Sequence, residues 1–282
     1  RKYNAKAYTD YNAMLDNEEI DAVSIVVPTS LHKTVALDCL RRGKHVLLEK
    51  PIASTVEEAQ EIIDCAKGHH AKLMVGHIER FNTAIVELKK RLENNELGEI
   101  YKIHVQRIGP FPARVTDVGV ITDLSVHDLD NINYLMNSSP SRIYAEIQQK
   151  LHPHHEDSVT ALVRYANDVL AVLNINYLSP TKIRELQVFG KKGMFAVNYL
   201  DQQLFFYQNN SFAHHDWQSI SEGDMKRIMI PKKEPLQVEI DAFLQCISNG
   251  RESPVTGEQA LNTLRIANHL LRAAKEKRII EL

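Results

Sequence analysis

Short, almost continuously apolar runs alternate with helical patterns in the first third of the chain. The apolar runs lie at residues 21–27, 45–49 and 72–76, and the first of them is rich in β-branched residues. Such runs are typical of strands buried on both faces of a parallel sheet. Helical periodicity separates them at residues 31–42 and 55–67, with Ser30 and either Ser54 or Thr55 as candidate N-caps and Gly43 and Gly68 as candidate ends. This alternation predicts a parallel sheet with right-handed crossovers.

The pattern changes near residue 98, where longer runs begin to alternate polar and apolar positions. Such alternation is typical of an antiparallel sheet with one covered face. The runs lie at residues 100–108, 142–150, 159–165, 169–177, 184–190 and 195–207. Helical patterns occur at residues 124–136, 236–248 and 257–277.

Two domains are predicted from these patterns. The expected fold class is α/β. Residues 1–98 would form an N-terminally incomplete, Rossmann-type parallel sheet, and residues 99–282 an α+β domain with a large, mostly antiparallel sheet. We expect the C-terminal helix to pack back on the first domain. A length of 282 residues agrees with about two domains.

Composition excludes several classes of protein. Lys and Arg number 34 against 36 Asp and Glu, so the basic excess of a typical nucleic-acid-binding protein is missing. No apolar run approaches the ~20 residues of a membrane span. The cysteines Cys39, Cys65 and Cys246 lie far apart without CxxC spacing, which indicates reduced thiols. We therefore expect a cytoplasmic protein whose partners are neither nucleic acids nor membranes.

Glu49, Lys50 and Pro51 follow the second buried run. In open α/β sheets, ligands bind at the carboxyl ends of the strands. Lys50 is therefore a candidate for contact with a ligand, with its backbone fixed by the following proline. The alternative is a surface lysine before a turn.

Asp123 and His127 are four residues apart where a helix is predicted to begin, so both lie on one helix face. A carboxylate one turn from an imidazole orients it and raises its basicity, which suits a general base. The alternative is an N-cap aspartate followed by an exposed histidine. Asp130 adds a polar group on about the same side and is equally compatible with solvation.

The order and spacing of these motifs resemble those of the Gfo/Idh/MocA family of NAD(P)-dependent sugar and inositol oxidoreductases. The motifs are Pro-Thr-Ser-Leu-His at 28–32, Glu-Lys-Pro at 49–51, Gly-His-Ile-Glu-Arg-Phe-Asn at 76–82, Asp-Leu-Ser-Val-His-Asp-Leu-Asp at 123–130 and Glu-Asp-Ser at 156–158, and the resemblance continues over residues 177–190. The resemblance covers essentially the whole chain. It implies an oxidoreductase that transfers a hydride from a sugar secondary hydroxyl to NAD or NADP, with NAD favoured.

The resemblance also implies roles for individual residues. Lys50 would stabilise the developing alkoxide, and His127 would take the hydroxyl proton. Asp123 would hold His127 and bind a neighbouring hydroxyl. Ser125 stands where the family usually has glycine. The cofactor-binding residues implied are Pro28, Thr29, His32, Glu49, Lys50 and Pro51, and the Lys50–Pro51 peptide is often cis in the family.

Residues 76–82 and 107–112 resemble the branch of the family that acts on nucleotide sugars, in particular by oxidising C3 of UDP-N-acetylglucosamine. The substrate residues implied are Arg80, Asn82, Arg107, Phe111, Asp123 and His127. Arg80, Arg107 and Arg114 are candidates to meet a diphosphate, and Phe111 to stack on a ring. For the arginines, the alternative is scattered surface charge.

Two other functions remain open. One is an inositol or other free-sugar dehydrogenase, and the other is a non-catalytic sugar-binding member of the family. By resemblance we expect a homo-oligomer, a dimer or tetramer, formed through the sheet of the second domain. No metal is expected, because the cluster at residues 152–155 (His-Pro-His-His) is typical of a polar loop.

The family pattern also contains a Gly-x-Gly-x-x-Gly turn after the first strand, which presents backbone N–H groups to the pyrophosphate. The first glycine of this sequence is Gly43, so the turn is missing from it. We therefore expect the sequence to be a fragment of a longer gene product.

Overall fold

The computed structural model describes residues 5–112, 118–210 and 222–282. Contacts divide this part of the chain into two units. The first contains the described residues up to Gly76 together with Ala242–Leu261, and the second contains His77–Asp241 with Asn262–Leu282. The sequence-based boundary at residue 98 is different, because the contacts assign residues 77–98 to the second unit.

A three-stranded parallel sheet forms the centre of the first unit, in the order β1-β2-β3. The strands are β1 (Ala22–Ile25), β2 (His45–Glu49) and β3 (Leu73–Gly76). Val46 and Leu48 on the middle strand are fully buried, since strands and helices cover them. The predicted Rossmann-type parallel sheet is confirmed for these residues.

The helices of this unit are α1 (Tyr11–Asn17), α2 (His32–Arg41) and α3 (Val56–Gly68). Of the two candidates Ser54 and Thr55, Thr55 caps α3, because its side chain accepts the N–H of Glu58. Ser30 does not cap α2. It lies instead inside a 3₁₀ turn (Thr29–Leu31) that leads into α2, and no side chain caps the helix.

A nine-stranded sheet dominates the second unit, in the order β11-β10-β9-β8-β4-β7-β6-β5-β12. Its strands are β4 (Ile100–Ile108), β5 (Pro140–Gln148), β6 (Ser158–Tyr165), β7 (Leu170–Asn176), β8 (Ile183–Gly190), β9 (Gly193–Asn198), β10 (Gln203–Gln208), β11 (Met225–Ile228) and β12 (Ile280–Glu281). Only β4 and β7 pair in parallel among these described strands, so the sheet is mostly antiparallel, as predicted.

The main helices after β3 are α4 (Thr83–Glu93), α5 (Val126–Met136), α6 (Pro235–Ser248) and α7 (Gly257–Glu276). One face of the large sheet packs against helical residues, with Val105 at its centre between its register partners Leu173 and Leu186. Leu129 of α5 and Leu270 of α7 belong to the same core. No helix in the described part of the chain is long and apolar enough to cross a membrane.

Candidate active site

The first group of candidate residues lies at the carboxyl edge of the parallel sheet in the first unit. Glu49 ends β2, and the Lys50–Pro51 peptide bond after it is cis, as the resemblance implies. Lys50 and Glu49 are partly exposed, whereas Pro51 is buried. Glu49 pairs across the ladder with Gly76, whose missing side chain leaves room beside the Glu49 carboxylate. The charged side chains therefore stand where an open α/β sheet binds ligands.

His32 joins two neighbouring strand ends in the same unit. Its ring is buried, with Nδ1 2.8 Å from the carbonyl oxygen of Pro51 and Nε2 3.0 Å from that of Val27. Pro28 and Thr29 lie in the loop between Val27 and His32, where Pro28 is exposed and Thr29 is partly exposed. His32 thus fixes the loop, while Thr29 is accessible at the edge.

In the second unit, Asp123 and His127 lie where a π-helical turn (Ile121–Ser125) continues into α5. Both side chains are partly exposed, while the residues around them on α5 are mostly buried. An i,i+4 pair shares one side of a helix, so a carboxylate and an imidazole face the same region at the start of α5. This arrangement suits proton abstraction by the imidazole.

Tyr177, which the sequence reasoning did not single out, contacts this pair. Its hydroxyl donates a hydrogen bond to Oδ2 of Asp123 at 2.5 Å. Tyr177 follows β7 and is buried. Phe111 packs edge-on against its ring, with a centroid distance of 6.0 Å. Phe111, predicted as a substrate residue, therefore contacts the tyrosine that is hydrogen-bonded to the candidate catalytic aspartate.

Arg107 lies in a buried ion pair on the other side of α5. Its Nε and Nη2 donate to the two carboxylate oxygens of Asp128, at 2.6 and 3.0 Å, and Nη2 also donates to Glu79 at 3.1 Å. Burial acts to lower the pKa of Arg107, but Asp128 and then Glu79 outweigh it and raise the pKa. The guanidinium is therefore charged and bound within the protein.

Arg80 and Asn82 are bound in a similar way. Arg80 donates from Nε and Nη2 to the two oxygens of Asp130, each at 2.6 Å. Asn82 caps α4 through Oδ1, and its Nδ2 donates to the carbonyl of Tyr199 at 3.1 Å. Asp130 is therefore buried and paired, and not solvated.

Arg184 of β8 is the partly exposed member of this charged cluster, and the sequence reasoning also missed it. It is the register partner of Arg107 and reaches Glu79 at 3.9 Å, with about 30% of its side chain exposed. Burial and then the charge of Arg107 lower its pKa, against Glu79, Asp128 and Asp123, which raise it. Arg184 is thus the arginine of this cluster whose guanidinium reaches solvent close to Asp123.

The histidine cluster forms a loop that packs near Phe111. His152 is buried, and its Nδ1 accepts the backbone N–H groups of His154 and His155. Within residues 5–112, 118–210 and 222–282, no group of three His, Cys, Asp or Glu side chains could hold a metal ion. Arg114, the third arginine considered for a diphosphate, lies outside the described residues.

The missed residues differ in the signal they left in the sequence. Asp128, which was not singled out from the sequence, and Asp130 lie among the buried apolar residues Val126, Leu129 and Ile132 of α5, and acidic residues there require cationic partners. That pattern points to Arg80 and Arg107 as ion-pair partners. Tyr177 and Arg184 left no comparable signal, because only long-range strand pairing brings them to Asp123.

The comparisons with known proteins identify the class as a nicotinamide-dependent oxidoreductase. A family model described as "Oxidoreductase family, NAD-binding Rossmann fold" matches residues 1–77, and one described as "Oxidoreductase family, C-terminal alpha/beta domain" matches residues 89–282. The chain belongs to the Gfo/Idh/MocA oxidoreductase family.

Individual relatives fall into more than one substrate group. The chain is 30% identical over 246 residues to a UDP-N-acetylglucosamine 3-dehydrogenase of Acidithiobacillus ferrooxidans, covering 87% of this chain and 75% of the relative. It is 25% identical to an inositol 2-dehydrogenase of Rhizobium meliloti, covering 94% and 81%. A crystal structure of UDP-N-acetylglucosamine 3-dehydrogenase from A. ferrooxidans superposes with a TM-score of 0.86 at 28% identity, covering 98% of this chain and 85% of that one.

Proposed function

We propose that this protein oxidises a secondary hydroxyl of a sugar, most specifically the C3 hydroxyl of a UDP-N-acetylhexosamine such as UDP-N-acetylglucosamine. The observation that carries the proposal is the Asp123–His127 pair at the start of α5, with Asp123 bound by the Tyr177 hydroxyl. The 30% identity to a UDP-N-acetylglucosamine 3-dehydrogenase supports the choice of substrate.

The proposed reaction divides proton and hydride between protein and cofactor. His127 takes the hydroxyl proton while the C–H bond at the same carbon breaks, and the carbon becomes a ketone. Bound NAD(P) supplies the hydride acceptor. Asp123 orients the imidazole and stabilises its protonated form. Lys50 stabilises the developing alkoxide with its ammonium charge.

The residues of the first unit fit a dinucleotide. Thr29, Glu49 and Lys50 are accessible at the carboxyl edge of a parallel sheet, where this fold class binds its cofactors. Together with Pro28, His32 and Pro51 they form our proposed contact set, with His32 acting through the loop that it fixes. NAD remains our favoured cofactor.

The arginines take a different proposed role from direct contact with a diphosphate. Arg80 and Arg107 already bind carboxylates of α5, and a diphosphate would have to displace those carboxylates. We therefore assign them, with Asn82, to supporting the site, and keep Phe111 as the substrate-facing aromatic residue. Arg184 is the better candidate for a polar contact with the sugar, because it reaches solvent near Asp123.

A homo-oligomer is proposed through the open face of the nine-stranded sheet. In register across this face run Tyr144, Leu162, Val172, His104, Gln187 and Ala196. Leu162 is 42% exposed there. The molar mass measured by light scattering should be that of a dimer or tetramer, and Leu162→Asp should shift this mass toward that of the monomer. A wild-type monomer at micromolar concentration contradicts this part of the proposal.

A second candidate substrate is inositol or another free sugar. The 25% identity to an inositol 2-dehydrogenase over 94% of the chain favours it. Comparing kcat/KM for UDP-N-acetylglucosamine, myo-inositol and free N-acetylglucosamine separates the two candidates. We expect the nucleotide sugar to exceed the others at least tenfold, and a higher value for myo-inositol would replace the proposed substrate.

The catalytic role itself is tested with Lys50→Ala and His127→Ala. Loss of one acid–base group typically costs about 10²–10⁴ in rate. We expect losses of that size in kcat while calorimetry still detects binding of the sugar. Lys67→Ala, at an exposed lysine of the same unit as Lys50, is the matched control. If the wild-type protein binds a UDP-sugar but never reduces NAD, the proposal is wrong and the protein is a non-catalytic sugar-binding member of the family.

A further inference from the structure

We propose that Tyr177 is a positioning residue, which holds the Asp123 carboxylate in the orientation that His127 requires. The inference rests on the proposed dehydrogenase function. Its basis is the 2.5 Å hydrogen bond from the Tyr177 hydroxyl to Oδ2 of Asp123. A hydrogen bond from a phenol to an ionised carboxylate is charge-assisted and about twice as strong as a neutral one.

Tyr177 is itself held from the sheet and not from α5. Its backbone N–H donates to the carbonyl of Asp157 at 2.9 Å, and the residue is only 3% exposed. The Phe111 ring packs edge-on against it. The hydroxyl therefore has a fixed position that is independent of the helix carrying Asp123 and His127.

The loop behind Tyr177 is built around the Asp157 carboxylate. Oδ2 of Asp157 accepts the backbone N–H groups of Lys150, Leu151 and His152, at 2.7, 2.5 and 3.0 Å. Burial raises the pKa of Asp157, but these backbone donors outweigh it and lower the pKa. The carboxylate therefore stays ionised and keeps the loop, and with it Tyr177, in place.

Asp123 needs such a support because of its local backbone. It lies in a π-helical turn, an irregular segment that recurs at functional sites and departs from the regular i→i+4 ladder. An unsupported aspartate there has several rotamers. With Oδ2 bound to Tyr177, the Asp123 carboxylate is restricted to one orientation, four residues before His127.

The charged and titratable groups around Asp123 come from four parts of the unit. Tyr177 approaches from the end of β7, Arg184 from β8 and His127 from α5. Glu156, in the loop between β5 and β6, accepts the N–H of Ile121 two residues before Asp123. The Tyr177 hydroxyl donates its hydrogen bond directly to the Asp123 carboxylate.

The test compares wild type, Tyr177→Phe, Asp123→Ala and the double variant. Phe keeps the ring packing against Phe111 and removes only the hydroxyl. We expect Tyr177→Phe to lower kcat about 10- to 30-fold with KM within threefold, as for loss of a contact made in the transition state. If Tyr177 acts through Asp123, the kcat of the double variant should match the kcat of Asp123→Ala within twofold.

The matched control is Tyr165→Phe. Tyr165 is equally buried, and its hydroxyl donates to Asn133, also on α5, at 2.9 Å. This variant loosens the same helix without touching Asp123, so its kcat should stay within twofold of wild type. The proposal is overturned if Tyr177→Phe changes kcat less than twofold. It is also overturned if Tyr177→Phe lowers kcat as much in the Asp123→Ala background as in the wild type.

Failure of the proposed function is recognised separately, by absence of turnover in the wild type with UDP-N-acetylglucosamine and myo-inositol. The Tyr177 proposal is then decided by NMR titration of the His127 imidazole in the same four proteins. We expect Tyr177→Phe to move its midpoint to lower pH, because a mobile carboxylate stabilises the imidazolium less. The shift should vanish without Asp123. No shift, or a shift that persists without Asp123, contradicts the positioning role.

Discussion

The buried ion pair between Arg107 and Asp128 offers a direct test of what holds α5 against the sheet. The perturbation is Asp128→Ala. Asp128 is fully buried and Arg107 is 2% exposed, so removing the carboxylate leaves the guanidinium with one hydrogen bond, to Glu79 at 3.1 Å. The two lost hydrogen bonds are charge-assisted, at about 1.5–3 kcal/mol each. Breaking a buried pair costs about 3–5 kcal/mol, and the two figures agree.

The assay is urea unfolding followed by circular dichroism. A matched control is Glu61→Ala, which breaks the partly exposed pair with Lys33 and should cost below about 1 kcal/mol. Replacing both partners, with Arg107→Met and Asp128→Leu, removes the uncompensated charge, while Glu79 retains Arg184 at 3.9 Å. The double variant should be at least about 2 kcal/mol more stable than the sum of the single losses predicts. A loss below about 1 kcal/mol for Asp128→Ala, or full additivity, refutes the reasoning.

Three further predictions concern the loop, the helix start and the core. Asp157→Asn should cost about 2 kcal/mol at neutral pH. Because backbone donors hold the pKa of Asp157 below its ordinary 3.8, that stability is present above about pH 4 and is lost as the pH falls; equal losses at pH 7 and pH 3 contradict this. Gly119→Ala would place Cβ 2.1 Å from Oε1 of Glu156, so the carboxylate must move away from the Ile121 N–H that it accepts; we expect a cost of about 0.5–1.5 kcal/mol and a lower kcat, and wild-type values in both would contradict this. Leu270→Ala should lower the free energy of unfolding by about 2–5 kcal/mol with kcat unchanged, which thermal melts and steady-state rates check.

The parallel sheet was predictable because its signal is local. The run at residues 45–49, for example, has three consecutive apolar residues at its centre, and burial on both faces of a strand requires such a sequence. Helix ends were less predictable. Ser30 has a suitable side chain for a cap, but a 3₁₀ turn occupies its position, and α2 begins without one.

One strand prediction in the second domain was too coarse. The apolar pattern at residues 195–207 forms two strands, β9 and β10, and Gln202 between them has a positive φ of 48°. Glycine is the usual residue at a positive φ. Because Gln202 takes this position, the sequence contains no glycine that would indicate the turn. The large sheet was nonetheless predicted correctly, because polar and apolar residues alternate in the other runs.

The candidate site was predictable to the extent that its residues follow a family motif. Asp123 and His127 are recognised by their spacing, and the structure places them at a helix start. The ion pairs of Arg80 and Arg107 were not foreseen, because the partners lie on a different element. Tyr177 depends on the pairing of β7 with β4 across about 70 positions of sequence, which local patterns do not encode.

The central claim is hydride transfer from C3 of a UDP-N-acetylhexosamine, and an isotope label tests it most directly. UDP-N-acetylglucosamine deuterated only at C3 is incubated with the protein and NAD, and the reduced cofactor is examined by mass spectrometry and NMR. The account predicts one deuterium at C4 of the nicotinamide and a ketone at C3 of the sugar. Reduced cofactor without deuterium, or bound substrate that never transfers the label, would contradict it.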